Sequence, residues 1–276
     1  MITMTNPMGH FRNKVVVVTG ACAGIGRQLC LRFAKAGAWV AMLDLNQDEL
    51  DTMVNHLESL NTQALGLKCD VADYQSVHEV FNRIVDHFSG IDVLINNAGI
   101  THHSAFADTD IQVLRRVMEV NYFGAVHCTK AALPSILERH GQLITMSSVS
   151  GYAPLWHRSG YNASKHALHG LFDCLRLEVA EQGVDVMLVC PGFTATDLNR
   201  NALQGDGGID ANPFSWQGQL SSAVDVAEAI YQGALQRKRL LVLSNLNKSA
   251  RVLYRLFPSL FERYIALKMS GVNGQR

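Results

Sequence analysis

The sequence contains Tyr161-Asn162-Ala163-Ser164-Lys165, a phenol and an ammonium four residues apart. Positions i and i+4 share one helix face, so both groups can point into a single site. Such pairs also decorate solvated helices, and the neighbours decide the weight of this one. Ser147-Ser148 close the apolar run 142–146, and Ser148 precedes the tyrosine by thirteen residues. Hydroxyls there stand at the carboxyl end of a strand, where open α/β sheets bind ligands. A titratable oxygen, a cation and a hydroxyl in one place are the parts for moving a proton at an oxygen atom.

A second group lies near the start. The apolar run 14–19 leads into Thr19-Gly20-Ala21-Cys22-Ala23-Gly24-Ile25-Gly26, and a helical pattern follows. Glycines there permit a tight turn and a close backbone approach to a pyrophosphate seated at a helix N-terminus. The spacing is G-x-x-x-G-x-G rather than the ordinary G-x-G-x-x-G, and a plain turn would need no more. Its place between strand and helix favours a nucleotide. The next apolar run ends at Asp44, eighteen residues beyond Gly26. An acid there hydrogen-bonds ribose hydroxyls and repels a 2′-phosphate. Ala23 and Leu45 supply no basic group to offset that repulsion, so the pattern favours NAD(H) over NADP(H). Asp44 has an alternative role as a helix cap, although Asn46 is also available for capping.

Those residues need a frame. Short β-branched runs at 14–19, 39–43, 64–69, 91–95, 142–146, 184–190 and 240–243 suit strands buried on both faces. Helical patterns lie between them, among them 24–36, 47–60, 74–88 and 161–181. The alternation predicts an α/β fold: one Rossmann-type, doubly wound parallel sheet with helices on both faces and a C-terminal helical extension. With no internal repeat or Pro/Gly-rich linker, residues 1–246 read as one dinucleotide-binding and catalytic domain. Two stretches break the alternation. Residues 194–222, rich in Gly, Asn, Asp and Ser, read as a substrate loop or lid. Residues 247–276 read as a basic amphipathic helical tail interrupted by Pro258, with six Lys or Arg against the single acid Glu262.

Composition narrows the function classes. The chain has 276 residues, 48% hydrophobic and 17% charged, enough for a large core. Its 24 Lys+Arg balance 24 Asp+Glu, so no overall field recruits nucleic acid. Six scattered cysteines form no C-x-x-C pair, and residues 1–10 show no signal-peptide pattern. No apolar run reaches the ~18 residues of a membrane span. The expectation is a cytoplasmic protein, at most peripheral to a membrane. None of the eleven histidines shows a metal spacing, so no metal is expected. Their loop positions read as solvated, with His103 and His157 the two able to face a substrate.

At this point the sequence resembles the short-chain dehydrogenase/reductase family, from residue 14 to about 245. The motifs are TGACAGIG at 19–26, Asp70 in CDV, NNAG at 96–99, Asn121 in VNYFG, SSVSG at 147–151, YNASK at 161–165 and PGFTAT at 191–196. The resemblance implies a catalytic tetrad of Asn121, Ser148, Tyr161 and Lys165, with Asn121 anchoring water in a proton relay. It implies cofactor contacts from Thr19, Gly20, Gly24, Ile25, Gly26, Asp44, Asp70, Val71, Asn97, Ala98, Gly99, Tyr161, Lys165, Pro191, Gly192, Thr194 and Thr196. Asp70 and Val71 would meet the adenine, Lys165 the nicotinamide ribose, and Thr194 or Thr196 the carboxamide. A tyrosine acting as base near pH 7 needs its pKa lowered by about three units, roughly 4 kcal/mol. A cation about 4 Å away at an effective dielectric of ~20 supplies that, and Lys165 is the expected cation.

The expected reaction interconverts a secondary alcohol and a ketone. Phe106, Tyr152, Leu155, Trp156, Phe193, Phe214 and Trp216 lie in segments expected to line the pocket, which suits a hydrophobic, lipid- or steroid-like substrate. The alternatives are an acyl-thioester ketoreductase, which Asp44 disfavours, and a non-catalytic nucleotide-binding scaffold, which has no use for the Ser148, Tyr161 and Lys165 set. Expected partners are a small alcohol or ketone and further copies of the chain, as dimer or tetramer. The tail is expected to cover the pocket or a subunit contact, with peripheral membrane contact as its other reading. The cofactor half is expected not to depend on it.

Overall fold

The computed structural model describes residues 10–196, 198–210 and 220–273, with side chains to 267 apart from the gaps. Among the described residues, seven strands form one parallel sheet in the order β3-β2-β1-β4-β5-β6-β7. They are β1 (Val15–Thr19), β2 (Trp39–Asp44), β3 (Ala64–Lys68), β4 (Val93–Asn96), β5 (Gln142–Met146), β6 (Asp185–Cys190) and β7 (Leu240–Val242). Register is set by apolar pairs across the centre, such as Val17 with Ala41 on one side and Leu94 on the other.

Alternation along each strand divides the core into two layers. Val16 and Val18 pack under α1 (Gly24–Lys35), α2 (Gln47–Ser59) and α7 (Ala223–Leu235). Val15 and Val17 pack under α3 (Tyr74–Phe88), α5 (Gly124–Glu138) and α6 (Ser159–Glu178). Burial of both sheet faces explains why the strands read as continuous apolar runs.

The element ends differ by a few residues from the patterns. The third strand stops at Lys68, and α6 begins at Ser159, before Tyr161, and ends at Glu178 rather than 181. A region outside the expected helices forms α4 (Ile111–Met118) and a π-helical segment, Glu119–Phe123, running into α5. Such π segments displace a side chain from the regular helical face and occur often at functional sites.

The described arm of the 194–222 loop is docked rather than detached. Leu203 bridges to His102 on one side and to Ile209 on the other, and the Gly205 carbonyl accepts the Asp110 N–H at 2.8 Å. Phe214 and Trp216 lie outside the described residues. The tail is α8 (Asn245–Leu256) and α9 (Pro258–Asn273), with Pro258 at the first position of the second helix, where its missing N–H costs no helical bond. Leu253, Tyr254, Phe261 and Ile265 pack against Val149 and Ala153, immediately after Ser148.

Candidate active site

The sheet order reverses between β1 and β4, and the loops leaving their carboxyl ends diverge into a crevice. Thr19 closes β1. Its hydroxyl accepts the N–H groups of Asn97 and Ala98, each at 3.0 Å, while Asn97 Nδ2 donates to the carbonyls of Thr19 and Gly20 at 2.9 and 3.0 Å. These bonds clasp the glycine-rich turn to the NNAG turn. The polar groups of Thr19 and Asn97 thus hold the floor of the crevice together. At Gly26 a Cβ would stand 2.0 Å from the Gly20 carbonyl oxygen, so only glycine lets α1 start this close to β1. Gly20 adopts φ +61°, which also favours glycine.

Ala23, the residue before α1, supplies no side-chain hydrogen bond to the amides at this helix N-terminus. Asp44 ends β2, with Oδ2 accepting the Cys22 N–H at 2.9 Å and Oδ1 the Leu45 N–H at 2.8 Å. Asn46, not Asp44, caps α2 through the Glu49 N–H, so the capping alternative for Asp44 falls. Glycine turn, helix N-terminus and carboxylate together fit a dinucleotide. Asp70 accepts the Ala72 N–H at 3.0 Å and lies 3.4 Å from Arg116, a pairing the motifs did not indicate. Val71 is buried and lines a small cavity with Thr19, Ala98 and Asn121.

Tyr161 and Lys165 lie on the inward face of α6, both buried. Lys165 Nζ donates to the Met146 carbonyl at 2.8 Å and stands 5.6 Å from the Tyr161 ring centre. Ser148 follows β5, and its hydroxyl accepts the Ser150 N–H at 3.2 Å. Asn121 sits in the π segment. Its Oδ1 accepts the Ile100 N–H at 2.8 Å, and its Nδ2 donates to the Ile100 carbonyl and Ser164 Oγ, each at 2.9 Å. That side chain fastens the exit of β4 to α6. A Cβ at Gly99 would stand 3.1 Å from Asn121 Oδ1, so the NNAG turn lies directly against it.

Ser148 and Tyr161 open onto a cleft of about 550 Å³, its mouth included. Pro191, Gly192, Thr194, Thr196 and Ile25 line it, and Val149, Leu155, Phe193 and Leu198 add apolar side chains. Thr196 closes over the glycine turn, since a Cβ at Gly24 would stand 3.0 Å from its Cγ2. Phe106 is not among the residues lining this cleft; it is 71% exposed on the short turn ahead of Asp110, whose N–H meets the Gly205 carbonyl. Trp156 is likewise exposed, and Tyr152 turns away to donate to the Asn247 carbonyl at 3.1 Å. The apolar lining is therefore narrower than expected.

The electrostatics also differ from expectation. Burial pushes Tyr161 above the usual phenol range, and the Ser148 hydroxyl and the Arg158 guanidinium pull in the opposite direction. Burial lowers Lys165 to about 8. The ammonium is directed at the Met146 carbonyl beside the Tyr161 ring, and the Arg158 guanidinium adds positive charge that favours the phenolate. Arg158 is buried, lines the cleft and donates to Asn199 Oδ1 at 3.0 Å. It precedes the first residue of α6 with a non-helical backbone, so helical spacing from Tyr161 gave no signal for it. His102 was also missed: it is fully buried rather than solvated. His103 lies 3.7 Å from Asp210, and its ring centre is 5.6 Å from that of His157.

These features define an α/β nucleotide-binding fold with a serine, tyrosine and lysine gathered at strand ends. The family model for short chain dehydrogenase matches residues 14–207. Dehydrogenase/reductase SDR family member 7B of Rattus norvegicus is 37% identical over 278 residues, covering 96% of this chain and 84% of that protein. Dehydrogenase/reductase SDR family protein 7-like of Drosophila melanogaster is 36% identical over 261 residues, covering 91% and 80%. The chain belongs to the short-chain dehydrogenase/reductase family of oxidoreductases. The fold also matches a Burkholderia phymatum short chain dehydrogenase/reductase solved in complex with NAD, at TM-score 0.80 and 23% identity, covering 91% of this chain and 95% of that one.

Proposed function

We propose that the protein interconverts a secondary alcohol and a ketone with NAD(H), on a substrate with a largely apolar body. The observation that carries this reading is the meeting of Ser148 and Tyr161 at one cleft that residues of the 191–196 segment also line. Ser148 donates to the substrate oxygen and stabilises charge developing there. Tyr161 takes the hydroxyl proton during oxidation and returns it during reduction. Arg158 and Lys165 provide positive charge that favours the phenolate against the cost of burial. Asn121 holds α6 against the NNAG turn and so keeps the tyrosine at the cleft; its water-anchoring role in a proton relay belongs to the same reading. A nicotinamide cofactor held by the glycine turn, Asp44 and the 191–196 segment would supply the hydride acceptor for oxidation at the carbinol carbon and the hydride donor for reduction.

Asp44 supports the choice of NAD(H), since its carboxylate stands at the end of β2 with no basic residue at 23 or 45. Val149, Leu155, Phe193 and Leu198 support the apolar substrate. The test is a panel of secondary alcohols and ketones assayed with NAD(H) and NADP(H) by cofactor absorbance. Turnover of medium-chain or cyclic apolar alcohols with NAD, exceeding that of polyols, is expected. Exclusive use of polar sugars, or a preference for NADP(H), would overturn the corresponding part.

A further inference from the structure

We infer that His102 is a positioning residue that holds the N-terminus of α6, and with it Tyr161, through a neutral imidazole of one fixed tautomer. Its Nε2 lies 2.9 Å from the Gly160 amide nitrogen, one residue before the tyrosine. An amide can only donate, so Nε2 carries a lone pair and the ring proton is on Nδ1. The neighbouring bonds agree in direction. Nδ1 lies 3.3 Å from Ser104 Oγ, which lies 2.7 Å from Thr109 Oγ1, and Thr109 donates to the Ala105 carbonyl at 2.7 Å. Thr109 therefore accepts from Ser104, and Ser104 accepts from His102.

Two observations make this more than a buried contact. Arg158, at the start of α6, provides no capping side-chain bond, so the imidazole serves as a cap delivered from another segment. Gly160 leaves the space for it, since a Cβ there would stand 3.2 Å from Nε2 and 2.9 Å from Leu114. The histidine backbone is itself held. Leu203 donates to the Thr101 carbonyl at 2.9 Å, and its own carbonyl accepts the His103 N–H at 2.8 Å. The substrate loop and the catalytic helix thus meet on the two sides of one residue. The inference rests on the catalytic reading of Tyr161.

Burial, above all, lowers His102 to about 4, and the charged groups facing the ring, Arg158 just ahead of α6 and His103 beside it, oppose protonation in the same direction. The unfolded chain binds this proton near pH 6.5 and the folded chain near 4. The residue's contribution to stability is therefore complete above about pH 6.5 and declines as pH falls toward 4.

The test begins with imidazole nitrogen NMR on the full-length protein at pH 7. The Nδ1–H tautomer is expected, persisting to below pH 5; an Nε2–H tautomer, or titration near pH 6.5, overturns the inference. His102→Gln keeps an acceptor near the Nε2 position, whereas His102→Leu removes it. With an NAD-linked secondary alcohol from the panel as probe, kcat is expected within about threefold of wild type for Gln and reduced at least tenfold for Leu. NAD affinity should stay within twofold in both. Equal kcat in the two variants would leave His102 merely structural and overturn the proposal. If His102→Leu does not fold, Ser104→Ala replaces it, with a shifted tautomer signal expected and an unchanged signal counting against. Retained turnover in Tyr161→Phe would instead overturn the catalytic reading, while the NMR result would stand.

Discussion

At the scale of single residues, Tyr161 is surrounded by groups acting in opposite directions. Burial favours the neutral phenol, while Ser148 and Arg158 favour the phenolate. Tyr161→Phe removes the titrating oxygen and leaves the packed ring. It is expected to lower kcat by roughly 10²–10⁴-fold, the range for losing a general acid–base group, with NAD affinity within about twofold by calorimetry. Asp44 has two tasks, because its carboxylate also accepts the Cys22 amide. Asp44→Ser with Leu45→Arg removes a like charge and adds a guanidinium suited to a 2′-phosphate. The ratio of kcat/KM for NADP to that for NAD is expected to rise at least tenfold. Total activity should fall as well, since the glycine turn loses an anchor.

At the scale of elements, the site depends on how closely α1 and α6 approach the strand ends. Gly26 is the tightest point. A methyl group there meets the Gly20 carbonyl, and neither backbone can retreat without opening the clasp of Thr19 and Asn97. Gly26→Ala is expected to cost about 3 kcal/mol, the upper end of typical overpacking. For a domain of this size that lowers Tm by roughly 6–12 °C, readable by thermal unfolding, and NAD affinity should fall with it. At α6, the periodic pattern of apolar residues marks the helix but not its first turn. That turn is completed by Gly160 bonding to His102, fifty-eight residues earlier in the chain.

At the scale of the whole molecule, the tail is tied into the cofactor side rather than appended to it. Asn247 is buried, and its Nδ2 donates to the Pro191 carbonyl at 3.1 Å while its own carbonyl accepts Tyr152. Helix α8 starts at Asn245 and so runs across the expected boundary at 246, and this bond ties it to the turn after β6. Asn247→Ala is expected to weaken NAD binding about five- to tenfold, the effect of losing a buried hydrogen bond of roughly 1 kcal/mol or slightly more. Truncation after Phe257 keeps Asn247 but removes Phe261 and Ile265 from Val149 and Ala153, so KM for the alcohol should rise with NAD affinity unchanged. Val252, Leu256, Phe257, Leu260 and Leu267 are exposed on the outer face beside Arg251, Arg255 and Arg263. Among the described residues, no helix is long and apolar enough to cross a membrane. Full-length protein is expected to sediment as a homo-oligomer that the same truncation weakens. Tail-dependent, salt-sensitive flotation with anionic vesicles would assign the outer face to a membrane instead.

The sequence by itself determined whatever depends on local period and local turn chemistry. The parallel sheet follows from apolar runs between helical patterns, the glycine turn from its place after the first strand, and the Tyr161–Lys165 face from its spacing. These signals are local because a strand buried on both faces, a turn with positive φ and an i, i+4 pair are each encoded within a few residues. Only the tertiary structure decided which polar groups would face the cleft and which would hold the molecule together. Thr19 and Asn97 join two turns, Asn46 takes the cap that Asp44 leaves free, Phe106 stays exposed and His102 turns inward. Each outcome depends on a partner distant in sequence, or on competition between acceptors for one amide. Hydrophobic periodicity carries no information about such pairings, because a buried polar group is stabilised by the particular donor or acceptor that the fold brings to it.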